Sequence, residues 1–292
     1  MALLKTEIQN FDEELEILVK TYRTFSAIRP EVLFRDFLPT GYRFTLLNTV
    51  DQKLQDSAVF AKVHLGMLVT LYDDLADNPQ YRNPRLLKEL YKLNVNQDVK
   101  VPPDLNAEEA KTFELARFLF SQLTALLRKF SNYSRLLPIL QFDIEQVYIS
   151  NRYSELMTEL PFMRNLTESR MLGAYNMAML AAGTIDLMAS SYLVVEELGA
   201  CREVLLNGQR VGRISNLLFT LKREIAEGDF TNEILISQGG VDAETYKLTL
   251  LDELNEKLSH IQKINLKTFS TGLYAKGLMA LHGLHENLEG RI

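Results

Sequence analysis

The chain has 292 residues, 47% of them hydrophobic and 24% charged, with a net charge of −6. That length allows one large domain or two small ones, and the acidic balance argues against a general nucleic-acid binder, which would present a basic face to phosphates. Cys201 is the only cysteine and the four histidines are scattered, which excludes an intrachain disulfide framework and offers no zinc-like cluster.

With 14 Gly, 8 Pro and apolar residues recurring at three- and four-residue spacing, the chain reads as all-α, a single helical domain over 1–292. The stretch MALLKTEIQNFDEELEILVK is charged throughout and no apolar run reaches about 18 residues, so a soluble, cytoplasmic protein with no membrane span is expected. An amphipathic helix is expected over 4–25, followed by a segment broken at Pro30, Pro39 and Gly41. From Thr49 to Asp77 the helical pattern grows more apolar and stops at Asn78, Pro79 and Pro84. A short helix near 85–94 precedes a loop, and Asp104 or Asn106 is the N-cap of a long helix reaching about 130. Helices follow near 134–157 and 163–198, the second apolar nearly all round with Gly173 and Gly183 as points where it can break. Another runs over 202–227 and ends at Gly228. The polar stretch GDFTNEILISQGG reads as a loop, and two more helices complete the pattern.

Two constellations stand out. The first is Asp73-Asp74-Leu75-Ala76-Asp77, the one adjacent Asp pair in the chain, in which Asp73 and Asp77 share a helix face at about 100° per residue. Carboxylates at a helix C-terminus are electrostatically disfavoured unless a cation compensates, which points to a metal, although a solvated acidic helix end gives the same pattern. In the second, Asn216, Thr220 and Glu224 recur every four residues and form one polar stripe, offset by only about 40° per step. Amide, hydroxyl and carboxylate oxygens suit magnesium, which keeps waters and takes substrate oxygens into its shell. Arg223 stands beside them, within reach of phosphate oxygens. An outer polar face with ordinary hydrogen bonds is the competing reading.

Together, in this order, residues 73–77 and 216–224 resemble the two metal motifs of class I terpene synthases of the microbial type, D-D-x-x-D and N-D-x-x-S/T-x-x-x-E. Arg213 before Asn216, and Gly228 and Asn232 after Glu224, extend the likeness. Leu217 stands where the family has Asp, and Arg223 where Lys is common. The resemblance implies a helical bundle with a central cavity. Asp73, Asp74, Asp77, Asn216, Thr220 and Glu224 would hold Mg2+, typically three ions, and a prenyl diphosphate, farnesyl or geranylgeranyl, would be the substrate.

It also implies an arginine that senses diphosphate upstream of the second motif. Arg170 matches by spacing and Arg164 by its flank, F-M-R-N-L-T; Arg170 and Arg223 are assigned to catalysis, and Arg164 and Arg213 join them in diphosphate binding. Gly173 and Ala174 then occupy the positions that turn a backbone carbonyl toward the developing cation. The family's C-terminal Arg-Tyr pair is missing, with Arg291-Ile292 in its place, and homodimers are common among relatives. Aromatic faces stabilise cations, and Tyr72, Tyr148, Tyr175, Tyr192 and Phe219 are candidate liners, although aromatic residues on apolar helix faces are more often plain core and none is taken as a site residue.

Ionisation is expected because no D-x-D-D acid motif occurs. A chain-elongating or condensing prenyltransferase of the same fold is the nearest alternative, disfavoured because a second aspartate-rich motif is missing. A noncatalytic helical isoprenoid-binding protein is the other.

Overall fold

Capping side chains decide where several helices begin. Asn10 accepts from the Glu13 amide to open α1 (Phe11–Arg23). At α5 (Ala107–Leu127), Asn106 accepts from the amides of Glu108 and Glu109 while Glu109 reaches back to the Asn106 amide, so of the two expected N-caps the chain uses Asn106. The computed structural model describes residues 10–291 apart from 27, 96, 238, 239 and 290, so residues 4–9 of the expected first helix lie outside the described ones.

Among the described residues there is no β-strand, only an isolated antiparallel bridge between Val50 and Ser190. After a π-helical turn at Leu33–Phe37 come α2 (Leu38–Phe44) and the long α3 (Gln55–Ala76), which is buried along most of its length. Asn83 caps α4 (Pro84–Leu90), and α6 (Tyr133–Glu159) carries Pro138 without ending there. The apolar pattern over 163–198 had suggested one helix. The chain instead forms α7 (Leu166–Leu172), a 3₁₀ turn at Gly173–Met177, and α8 (Met179–Met188), with Ala178 at a left-handed φ of 49° between the last two. Gly183 is no break, since a side chain there would meet Leu205 at 2.4 Å and glycine lets α8 and its neighbour approach.

α9 (Leu198–Glu227) ends at Gly228, whose φ of 78° suits glycine. The stretch expected as a loop contains α10 (Glu233–Ser237), because Ile234 joins the core and buried Glu233 pairs with Arg210 at 2.8 Å. α11 (Ala243–Lys263) and α12 (Thr271–Asn287) are the two expected last helices. One continuous core runs from Leu15 to Leu281, so the packing crosses the whole described chain.

Helices α3, α8 and α9 form the centre, flanked by α5, α6 and α11, while α2 and α12 close one side. Buried charges staple these layers. Asp143 of α6 accepts from Thr184 of α8 and from Arg202 of α9, and Lys62 of α3 pairs with Asp186 of α8 at 2.8 Å. Burial pushes the Lys62 ammonium down and the Asp186 carboxyl up, and each partner's charge opposes that shift.

Candidate active site

α3 ends with Ala76, and Asp77 is its C-cap. Asp73 and Asp77 both line one open cavity between α3 and α9, together with Asn216, Thr220 and Glu224. The two constellations read from sequence therefore face each other across a single space.

The cation expected at this helix end has a local stand-in. Arg29, in the irregular stretch before Pro30, donates through Nε to Asp74 Oδ1 at 2.7 Å and through Nη2 to Asp73 Oδ2 at 3.2 Å. Burial opposes its charge, yet the two carboxylates hold the guanidinium protonated well above its usual range. Asp74 is turned toward Arg29 and is not among the cavity-lining residues, which sets it apart from Asp73 and Asp77. Asn176, in the turn that follows α7, donates to Asp73 Oδ1 at 2.5 Å.

On α9, Thr220 donates to Glu224 Oε1 at 2.7 Å, and Asn232 donates to Glu224 Oε2 at 2.6 Å. Asn232 also donates to the Leu217 carbonyl at 3.2 Å and accepts from the Ile234 amide, so the segment after Gly228 folds back to orient Glu224. Leu217 is 1% exposed and packs in the core. A carboxylate in its place would enter apolar surroundings.

Arg213 and Arg223 line the cavity on the same helix. Arg213 donates to Asn216 Oδ1 at 3.2 Å and Arg223 to Glu227 at 3.0 Å, while the Nε of each is buried with no hydrogen-bond partner. Gly173 also lines the cavity, and a Cβ there would sit 3.7 Å from the Arg213 guanidinium.

The other two sequence-selected arginines lie elsewhere. Arg170 pairs with Glu253 at 2.7 Å in a separate shallow groove that also contains Ala174, and Arg164 donates to the Met157 carbonyl. Neither Arg170 nor Arg164, expected to sense diphosphate, borders the cavity that the two motifs line: α7 carries Arg170 to Glu253 of α11, whereas Arg29 stands on the cavity wall. Arg291 bonds the Asn287 carbonyl, and Ile292 lies outside the described residues.

Carboxylates crowd the cavity. Burial, and then the neighbouring charges of Asp73, Asp229 and Glu224, push Asp77 well above the usual carboxylate range. Asp229 is pushed up to about 6 by burial and by Glu224, against the hydrogen bonds from Thr231. Such mutual repulsion marks a place for a cation, and the donors, all oxygens, suit a hard divalent one. Among the described residues no three His, Cys, Asp or Glu side chains converge on a point.

Adjoining the polar mouth is a largely apolar chamber of about 70 Å³, lined by Leu38, Met177, Met179, Ala182 and Leu281 with the rings of Phe37, Tyr42 and Tyr274. That lies well below the roughly 300–1,000 Å³ of small-molecule sites, so a ligand tail would enter only by moving these apolar side chains aside. Phe37, Leu38, Tyr42, Met177 and His285 line both spaces and join them. None of the five aromatic residues suggested as liners borders the mouth or the chamber. Tyr72 and Tyr148 pack against each other and Tyr91, Phe219 packs against His282, Tyr175 borders the shallow groove, and Tyr192 is exposed.

The chain superposes on isoprene synthase from grey poplar leaves (Populus x canescens) with a TM-score of 0.71 at 13% identity, over 94% of this chain and 52% of that one. The same enzyme with three Mg2+ ions and dimethylallyl-S-thiolodiphosphate matches at 0.70 and 14%. 2-Methylisoborneol synthase from Streptomyces coelicolor A3(2), in complex with Mg2+ and 2-fluoroneryl diphosphate, matches at 0.65 and 13%, over 99% of this chain and 94% of that one. This chain has the terpene synthase fold. It spans about half the length of the plant enzyme and nearly all of the bacterial one. No protein-family profile and no curated sequence matches it.

Within that fold, Arg29, Asn176 and Asp229 are the site residues that sequence reading missed. Arg29 precedes Pro30 in a segment without periodicity, and Asn176 sits in an apolar run, so neither carries a local signal. Asp229 lies inside the recognised stretch between Gly228 and Asn232 and was open to notice.

Proposed function

We propose that the protein is a class I terpene synthase of the microbial type, a single-domain cytoplasmic lyase that ionises a prenyl diphosphate. The observation that carries this reading is one polar mouth in which Asp73 and Asp77 face Asn216, Thr220 and Glu224, with Arg29, Arg213 and Arg223 around it and an apolar chamber beneath. Mg2+, three ions by likeness to the family, would be held by Asp73, Asp77, Asn216, Thr220 and Glu224 and would supply Lewis-acid neutralisation of the leaving group.

The chain's own residues do the rest. The guanidinium groups of Arg213 and Arg223, which line the mouth, would bind diphosphate oxygens, and Arg29 joins them by releasing Asp73. The carbon–oxygen bond then breaks with its electron pair leaving on the diphosphate, which creates an allylic cation. Apolar side chains of the chamber exclude water from that cation, and the faces of Phe37, Tyr42 and Tyr274 offer it cation–π contact. Farnesyl or geranylgeranyl diphosphate is the proposed substrate.

Purified protein incubated with magnesium and, separately, geranyl, farnesyl, geranylgeranyl and geranylfarnesyl diphosphate should yield a hydrocarbon or terpene alcohol from at least one. Diphosphate release without such a product would overturn the assignment, and chain-extended diphosphates would identify a prenyltransferase. Asp73→Ala and Asn216→Ala should each abolish turnover while circular dichroism stays helical.

A further inference from the structure

Each helix that lines both spaces passes from mouth to depth in a consistent order. Along Phe37 and α2, Phe37, Leu38 and Tyr42 border both spaces while Gly41 and finally Thr45 border only the deeper one. Asp73 of α3 is at the mouth, and Lys62 lies about 16 Å further down the same axis at ~1.5 Å per residue. On α8, Met179, Ala182, Gly183 and Asp186 occupy one face, with Asp186 farthest from the Met177 turn. On α12, His285 is shared with the mouth, Leu281 is deeper and Tyr274 deeper still. The lining residues farthest from the mouth are thus Thr45, Lys62, Asp186 and Tyr274, and two of them form a fully buried ion pair.

That pair is tied into the backbone on both sides. Lys62 Nζ lies 2.8 Å from Asp186 Oδ1 and donates to Oδ2 at 3.0 Å and to the Tyr42 carbonyl at 3.2 Å, while Asp186 accepts from the Leu47 amide at 3.1 Å. Each residue is 1% exposed. A buried ion pair rarely stabilises a fold better than apolar side chains of equal size, whereas separating its members leaves an uncompensated charge at large cost. Apolar side chains can rotate aside for an intruding hydrocarbon. This pair cannot, because any displacement pulls two charges apart.

We propose that the Lys62–Asp186 pair is the unyielding floor of the chamber and gauges the length of the isoprenoid chain the protein accepts. The proposal rests on the prenyl diphosphate reading and names the part of the chain that sets its substrate range. A tail that stops above the pair is bound entirely by apolar contacts. One isoprene unit more would have to part the ions.

The test is a binding ladder in which dimethylallyl, geranyl, farnesyl and geranylgeranyl thiolodiphosphates, which resist ionisation, are titrated calorimetrically in the presence of magnesium. Wild-type affinity should rise with chain length and then drop at least tenfold at one step. The double variant K62M/D186L, which keeps volume but lets the floor yield, should recover at least tenfold affinity for the first excluded chain. A182L, one helical turn above Asp186, should move the drop one unit shorter without touching the ions. A folded double variant with the drop unmoved would overturn the proposal, and so would an unmoved drop in A182L, which stays informative if the double variant fails to fold. A wild-type protein that binds no member of the ladder would instead overturn the prenyl diphosphate reading.

Discussion

Glu224 is held at both oxygens, by Thr220 from its own helix and by Asn232 from the segment beyond Gly228. Groups that orient a metal ligand typically matter ten- to a hundredfold to activity although they never touch the ion. Under the proposed role of Glu224, Asn232→Leu, which keeps the size and removes both hydrogen bonds donated by the amide, should lower kcat/KM by about 10- to 100-fold in steady-state kinetics with the prenyl diphosphate that the proposal assigns as substrate. An unchanged value would show that Glu224 needs no such support. The residues of the two repeating motifs were legible because their spacing follows the helix period and their chemistry is unusual on an apolar face. Arg29 was not, because its role comes from a fold contact across 44 positions of sequence rather than from any local pattern. Arg170 misled for the complementary reason. Its distance along the chain suited the role, yet α7 turns it outward to Glu253.

At the scale of helices, period and capping residues placed most elements. Residues 163–198 read as one helix that could break at Gly173 or Gly183. It breaks at the Gly173–Met177 turn, where Asn176 packs toward Asp73 and Ala178 is left-handed, and continues through Gly183. Glycines show the same dependence on context. A side chain at Gly277 of α12 would stand 1.9 Å from the Phe44 carbonyl oxygen of α2, a backbone atom that cannot rotate away. Gly277→Ala should therefore cost about 3 kcal/mol through overpacking. Gly283, on the same helix with nothing within 4 Å, should gain about 1 kcal/mol when replaced by Ala, from helix propensity alone. Thermal unfolding of the two variants should shift in opposite directions, and equal shifts would remove the α2–α12 contact from the account.

The whole molecule carries its own proton linkage. His64 and His285 are buried and pushed down to about 4, chiefly by desolvation, which the bonds to the Phe60 and Leu281 carbonyls only partly offset. Their folded values lie below the unfolded one of about 6.5, so the stability they contribute is complete above that pH and is lost as pH falls through about 4. Each accounts for about 3 kcal/mol across that window. Asp77 and Asp229, raised by burial, act in the opposite sense, favouring the folded state as they take up protons. The measurement is thus the difference between wild type and His64→Gln/His285→Gln in thermal unfolding from pH 7 to pH 4. The double variant should lose less stability on acidification, and parallel curves would place the acid response elsewhere.

The chamber draws its walls from distant parts of the chain, with Phe37 and Tyr42 near its beginning and Tyr274, Leu281 and His285 on α12. A chain emerging from the ribosome has made both aspartate and Asn-Thr-Glu motifs long before α12 is synthesised. Until then one wall is missing, and the chamber stands open to water. The mouth and one wall of the chamber beside it are thus made at different times during synthesis.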